Sequence, residues 1–149
     1  MSIRPEPVEP SAGRNRVEVS VEVLHSPPHS APDRLVYIYF ITVHNLGENT
    51  VQLLERHWEI TDGDGSVQVV DGEGVIGQQP VIPPGERFIY NSAASVRVPD
   101  GSMRGHYTFA ADAGERFNVA IPAFRLYTPE GWTSSERVRL ERSKPRLLN

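Results

Sequence analysis

The stretch Arg56–Tyr90 reads RHWEITDGDGSVQVVDGEGVIGQQPVIPPGERFIY, and its turn signals decide the fold class. Asp62–Gly65 is a hairpin signal, because Asp-Gly pairs tolerate the positive φ angles that tight turns need. Pro84 and Gly85 form the pair that is typical of a type II turn. Short apolar runs lie between these signals, such as the predicted short strand Val67–Val70, which indicates strands joined by tight turns.

Three further strands are predicted before this stretch or at its start. In Arg16–Leu24 every second residue is a valine, which predicts a half-buried strand. Leu35–Val43 is apolar on both faces, as expected for a central strand. In Thr50–Ile60 the apolar positions change phase between Leu53 and Trp58, which predicts a bulge.

About seven or eight such strands, without helical periodicity, predict an all-β protein. The expected fold is an antiparallel sandwich of the immunoglobulin or fibronectin type III kind. Residues 1–13 are predicted to be a flexible Pro-rich N-terminal tail, and residues 14–128 the β-sandwich domain. Residues 129–149 are predicted to be a basic C-terminal tail, since they carry four Arg and one Lys against three Glu.

Composition narrows the function classes. The 149-residue chain has no run of about 18 apolar residues, so we expect no membrane-spanning helix. Its N-terminus has no apolar signal-peptide core, which predicts a cytoplasmic protein. It has no cysteine, which excludes disulfides, thiolate metal sites and cysteine nucleophiles. A net charge of -4 argues against a dedicated nucleic-acid binder.

The segment DGEGVIGQQP contains a literal G-x-G-x-x-G at Gly72, Gly74 and Gly77. In dinucleotide folds these glycines let the backbone approach pyrophosphate, and a following helix directs its N–H groups at the charge. Here Pro80 follows almost at once, with two further prolines close behind, so no helix can begin. We therefore interpret the glycines as structural, at bulges and tight strand crossings. A phosphate site made by loop N–H groups alone is the alternative.

Four motifs occur in one order: W-x-I-T-D from Trp58, G-x-G-V-x-G-x-Q-P from Gly72, P-G-x-x-F-x-Y from Pro84 and I-P-x-F-x-L from Ile121. Together they resemble the ApaG domain family, also called CorD, over residues 14–127. The resemblance implies a fibronectin type III-like sandwich and an association with magnesium and cobalt homeostasis in bacteria. It also implies interaction modules in eukaryotes, and no established catalytic activity.

This chain departs from the family pattern at one turn position. Family members often carry Ser-Gly after the P-G-x-x-F-x-Y motif, where this chain has Ser92 and Ala93. Because alanine disfavours a positive φ, we expect no positive-φ turn there.

Catalytic and metal-ligating patterns are weak, so we expect no catalytic residue, no metal site and no cofactor. His25 and His29 flank two prolines, which removes the helical i, i+4 ligand geometry. His57 and His106 fall on different predicted strands, where only the tertiary structure brings them together. The sequence has no Gly-x-Ser-x-Gly elbow, which argues against a serine hydrolase.

The aromatic residues favour a partner surface instead. Most are expected in the core, and any that emerge beside the glycine-rich segment would form an apolar patch for a protein partner. The predicted partner surface comprises Gly72, Gly74, Gly77, Gln79 and Trp58. The sequence thus predicts a non-enzymatic binding module with a protein partner, as a monomer or a homodimer. The alternative is a small-ligand protein that holds pyrophosphate, a nucleotide or a divalent cation on the glycine-rich loop.

Overall fold

The structure, a computed structural model, describes residues 15–31 and 33–128. The strands are β1 (Val17–His25), β2 (Leu35–Asn45), β3 (Val51–Thr61), β4 (Val67–Glu73), β5 (Val81–Ile82), β6 (Arg87–Val96), β7 (Gly101–Ala111) and β8 (Arg116–Leu126). A short 3₁₀ turn, Pro27–His29, follows β1. The two predicted tails, 1–13 and 129–149, lie outside the described residues.

The strands form two antiparallel sheets that pack face to face. One sheet has the order β1-β2-β6, and the other has the order β4-β3-β7-β8, with β5 also pairing to β3. Strands β1 and β8 lie against each other along one side of the sandwich. The predicted all-β sandwich of seven or eight strands is confirmed. In the described part of the chain, no helix has the length and apolar character needed to cross a membrane.

The core lies between the two sheets and is rich in aromatic residues. Those that are buried are Tyr37, Tyr39, Trp58, Tyr90, Tyr107, Phe109 and Phe117. The hydroxyl groups of Tyr90 and Tyr107 hydrogen-bond to each other, and burial raises the pKa of both. The prediction that most aromatic residues belong to the core is confirmed.

Strand β3 contains one extra residue. Its register against β7 shifts between Leu53 and Glu55, so Leu54 has no opposite residue. Side chains alternate along a strand, and an extra residue reverses that alternation. As a result Trp58 enters the core while His57 lies on the outer face of the larger sheet. The predicted bulge is confirmed.

Local turn predictions are confirmed in two places, and one strand end is corrected. The N–H of Glu86 donates to Pro83 C=O at 3.1 Å, and Gly85 between them has a φ of 83°, as a type II turn requires. Ser92 and Ala93 lie within β6 without a positive φ. Strand β4, in contrast, extends beyond its predicted end at residue 70 to residue 73, because these residues pair regularly with β3.

Asn45, fully buried at the end of β2, organises the turn that leads to β3. Its Nδ2 donates to the carbonyl groups of Asn49 and Ile82, both at 2.8 Å. Its Oδ1 accepts from the N–H of Gly47 at 2.9 Å. One side chain therefore satisfies two backbone groups of the β2–β3 turn and one of strand β5.

Replacing Asn45 by alanine should destabilise the domain by about 2–4 kcal/mol, because buried backbone groups lose their partners. The free energy of unfolding is measured by denaturant titration. Asn118→Ala, at an exposed position of β8, is the matched control: it removes only the solvent-exposed hydrogen bond from Thr108 Oγ1 to Asn118 Oδ1 and should cost no more than about 1 kcal/mol. Equal losses in the two variants would contradict this role of Asn45.

Candidate functional site

Residues 74–80, between β4 and β5, form a small hairpin that we call the glycine hairpin. Val75 and Gln78 exchange two backbone hydrogen bonds of 2.8 and 2.9 Å. Between them Ile76 and Gly77 have φ angles of 43° and 78°. Two consecutive positive φ angles are typical of a type I′ turn, which joins antiparallel strands most tightly.

The glycine hairpin is fastened to the bulge of β3. The carbonyl of Leu54 accepts the N–H of Gly74 at 2.7 Å and the side-chain amide of Gln79 at 2.9 Å. The N–H of Leu53 donates to Pro80 C=O at 3.0 Å. Gln79, predicted to contact a partner, thus holds the hairpin against the sheet.

The three glycines of the G-x-G-x-x-G pattern have three different structural roles. Gly72 lies on β4, where a Cβ would stand 2.7 Å from the guanidinium of Arg56. Gly74 has a φ of 63°, and a Cβ there would stand 2.0 Å from Gln78 O. Gly77 has nothing near its missing Cβ and serves the turn through its positive φ. Gly74 and Gly77 thus serve the turn between β4 and β5, while Gly72 lies in regular strand pairing and not at a bulge.

The hairpin already engages three of the N–H groups that a phosphate cradle would use. A cradle needs free N–H groups that converge on the anion. In the glycine hairpin the N–H groups of Gly74, Val75 and Gln78 all donate to backbone carbonyls. Arg56 of β3 donates its Nη1 to the carbonyl groups of Glu73 and Gly74 at 3.0 and 2.9 Å.

Trp58, predicted to belong to the partner surface, is only 3% exposed. Its ring lies in the core at centroid distances of 5.4 Å from Tyr39 and 6.0 Å from Phe124. The bulge at Leu54 turns this side chain inward, as the change of phase between Leu53 and Trp58 predicts, so Trp58 adds no exposed ring to the predicted partner surface.

A polar cluster occupies the outer face of the larger sheet, next to the glycine hairpin. His57 of β3 pairs in register with His106 of β7 and with Asp71 of β4. The two imidazole rings stack, with centroids 4.9 Å apart and an interplanar angle of 22°. The two histidines that the sequence left on separate strands are therefore direct neighbours.

Both ring nitrogens of His57 contact carboxylates. Nδ1 lies 2.6 Å from Asp71 Oδ1, and Nε2 lies 3.2 Å from Glu59 Oε2. These hydrogen bonds raise the pKa of His57, Asp71 having the larger effect. Glu59 also accepts Arg104 Nε at 2.9 Å, and Arg104, followed by His57, lowers the pKa of Glu59.

The cluster borders an open depression of about 390 Å³. We call it the acidic depression; it is lined by Glu55, Arg56, His57, Asp71, Gly72, Glu73, His106 and Thr108. Three carboxylates lie in this lining, and the guanidinium of Arg56 is engaged with carbonyl oxygens. Among the described residues, no three or more His, Cys, Asp or Glu side chains are arranged to hold a metal ion. The surface is suited to a cationic group.

Comparison with known proteins assigns the fold to a family. Residues 25–111 match the ApaG domain. The chain belongs to the ApaG domain family. It is 47% identical over 112 residues to Protein ApaG of Acidithiobacillus ferrooxidans, covering 74% of this chain and 88% of that one. It is 46% identical over 110 residues to Protein ApaG of Deinococcus radiodurans, covering 74% and 86%.

A solved structure agrees with this assignment. The crystal structure of the Bordetella pertussis protein named ApaA has a TM-score of 0.76 and 39% sequence identity to this chain. The match covers 78% of this chain and 97% of that one. The resemblance predicted from the four motifs is confirmed.

Sequence reasoning missed most of the polar cluster in this ApaG domain. The sequence pattern places Asp71 only within the glycine-rich segment, and Arg104 belongs to no recognisable motif. One signal was present: His57 and Glu59 are two residues apart, as are Arg104 and His106, so each pair shares a strand face. Their meeting depends on the pairing of β3 with β7, which are far apart in sequence.

Gly74→Ala should destabilise the ApaG domain by about 3 kcal/mol or more, because the new Cβ meets a backbone oxygen at a positive φ. Gly77→Ala is the matched control. It has the same conformational cost but open space, so the loss should be about 1 kcal/mol. Denaturant titration measures both, and equal losses would contradict a close approach at Gly74.

His57 should titrate above its ordinary pKa of 6.5 in an NMR pH titration of its ring protons. Asp71→Asn should lower this pKa more than Glu59→Gln does, following the order of their effects. Because the folded pKa is raised, the stabilisation is full below 6.5 and is lost as pH rises through the folded value.

Asp64→Asn, which does not touch His57, is the control for this titration and should leave the pKa of His57 unchanged. A midpoint at or below 6.5 in the unmodified chain would show that the two carboxylates do not hold the imidazolium.

Proposed function

We propose that this ApaG domain is a non-enzymatic binding module that holds a basic segment of a protein partner in the acidic depression. The observation that carries the proposal is the lining of that depression. Asp71 and Glu73 offer carboxylates around an open space, and the nearby Arg56 is turned toward backbone oxygens. Glu55 adds a third carboxylate, which Arg116 Nη1 approaches to 3.9 Å at the exposed rim. An arginine or lysine side chain fits this charge pattern, since carboxylates are its preferred partners.

The protonation of His57 tunes this binding. A protonated imidazole adds a positive charge to the depression and competes with an incoming cation for Asp71. When His57 loses its proton, the depression becomes more negative. Affinity for a basic segment therefore rises as pH passes upward through the pKa of His57.

The contacts of His57 favour binding over catalysis. A general base must direct one ring nitrogen at the nucleophile or water that it deprotonates. In this cluster Nδ1 and Nε2 both face carboxylates, at 2.6 and 3.2 Å. The imidazole is thus held as a charged element of the surface, which supports the non-enzymatic proposal.

The family resemblance links the ApaG domain to magnesium and cobalt homeostasis, and we extend the proposal to that role. We infer that the cation link runs through the protein partner, because the described residues of the acidic depression offer charge without a ligand set of metal geometry.

Peptide titrations followed by NMR test the proposal. Matched peptides that differ only in carrying arginine, serine or glutamate are added to the full chain. The arginine peptide should shift the amide signals of His57, Glu73 and Thr108, with higher affinity at about pH 8.5 than at about pH 5.5. Asp71→Asn combined with Glu73→Gln should weaken this binding about tenfold.

The control removes the same charge elsewhere. Glu18→Gln combined with Glu22→Gln alters exposed residues of β1 on the other sheet and should leave the affinity unchanged. Equal binding of arginine and glutamate peptides would refute the proposal. Thermal melting with ATP, Mg²⁺ and Co²⁺ tests the small-ligand alternative, since saturation at about 100 times Kd stabilises by about 2.7 kcal/mol.

A further inference from the structure

The free edge of β6 differs from the other sheet edges of this domain. In the described part of the chain, β6 pairs with β2 alone. Its residues Phe88–Val96 carry no charge, no proline and no glycine. Proteins ordinarily protect the exposed edge of a sheet with charged residues or proline, or they cover it with another segment. Strand β8 carries Pro122 and lies against β1, and β4 carries Asp71 and Glu73.

Backbone groups along this edge point away from the sheet at every second residue. The N–H of Asn45 donates to Glu86 C=O, so odd-numbered residues of β2 direct their backbone groups at β6. In the observed register Val43 lies opposite Phe88. Even-numbered residues of β6 therefore bond to β2, and odd-numbered residues from Arg87 to Ser95 direct N–H and C=O outward.

We propose that the β6 edge binds the β6 edge of a second copy of this chain, which gives a twofold-symmetric dimer with one continuous six-stranded sheet. Strand addition at a free edge takes its affinity from backbone hydrogen bonds. Antiparallel pairing of two β6 strands is compatible with a twofold axis. If residue i of one copy faces residue j of the second copy, then residue j of the first copy faces residue i of the second. Pairing over residues 87–95 forms about ten backbone hydrogen bonds.

Side-chain sizes select the register in which Asn91 faces Asn91 of the second copy. On the outer face, Ile89, which is 64% exposed, then lies opposite Ala93 of the second copy. On the inner face, half-buried Phe88 lies opposite Ala94 of the second copy. Each bulky apolar side chain thus meets a small one on both faces of the joined sheet, which favours close pairing.

Charge excludes one neighbouring register. A shift by two residues in one direction sets Arg87 opposite Arg97 of the second copy, and like charges directly opposite are destabilising. A shift in the other direction shortens the paired segment and sets Ile89 opposite Asn91. In the proposed register Arg87 faces Ser95 of the second copy, and no charged residues face each other.

Sedimentation velocity of the full chain, from about 1 to about 200 μM, tests the proposal. The unmodified chain should form a dimer whose fraction rises with concentration. Asn91→Lys and Asn91→Asp should each raise the dimer Kd about tenfold or more, because each places two like charges on the twofold axis. Since Asn91 is exposed, both variants should retain the native melting temperature.

Mixing the two variants tests the register itself. In the mixed dimer the introduced lysine of one chain faces the introduced aspartate of the other, so opposite charges replace like charges on the axis. The mixture should therefore form a heterodimer, detected by native mass spectrometry, with a Kd about tenfold or more below that of either variant alone. Ala120→Lys, at an exposed position of β8, is the matched charge control and should leave the dimer Kd unchanged.

A monomeric unmodified chain across this concentration range would overturn the dimer, as would a dimer that both variants retain. Variants that stay monomeric after mixing would overturn the Asn91 pairing. The acidic depression lies on the other sheet. Peptide binding is therefore expected whether or not the chain dimerises, so the two experiments test the two proposals separately.

Discussion

One extra residue in β3 sets the direction of every side chain that follows it on that strand. Leu54 has no opposite residue on β7, and the alternation of side chains reverses across it. Leu53 before the bulge and Trp58 after it both face the core as a result. Without the bulge, Trp58 would lie on the surface and His57 would be buried. The bulge carbonyl also accepts the hydrogen bonds that hold the glycine hairpin.

The glycine pattern illustrates how one string of residues acquires different meanings in different folds. In a dinucleotide fold, the N–H groups after the glycines are left free at a helix N-terminus. In this ApaG domain the chain turns back on itself, so the N–H groups of Gly74, Val75 and Gln78 donate to backbone carbonyls. Gly74 and Gly77 are required for close approach and positive φ, and the pattern stabilises a strand connection.

The two proposed surfaces rest on different physics. The acidic depression acts through charge, so its affinity depends on pH and is weakened by salt. The β6 edge acts through backbone hydrogen bonds, which depend little on pH, and its specificity comes from the sizes of facing side chains. Because the two surfaces belong to opposite sheets, a dimer joined at β6 presents two acidic depressions. Such a dimer would bind a bivalent partner more tightly than a single domain does.

The sequence by itself determined most of the strands, the main turns, the bulge in β3 and the family, because apolar alternation, the turn preferences of glycine and proline, and motif order are local properties. It also determined that the glycines could not open a helix, since Pro80 follows them. Only the tertiary structure decided what lies on the surface. The stacking of His57 on His106, and the contact of His57 with Asp71, require strand pairings that no local pattern encodes. The free edge of β6 is likewise a consequence of strand order, which is settled when the two sheets pack and bury their shared core.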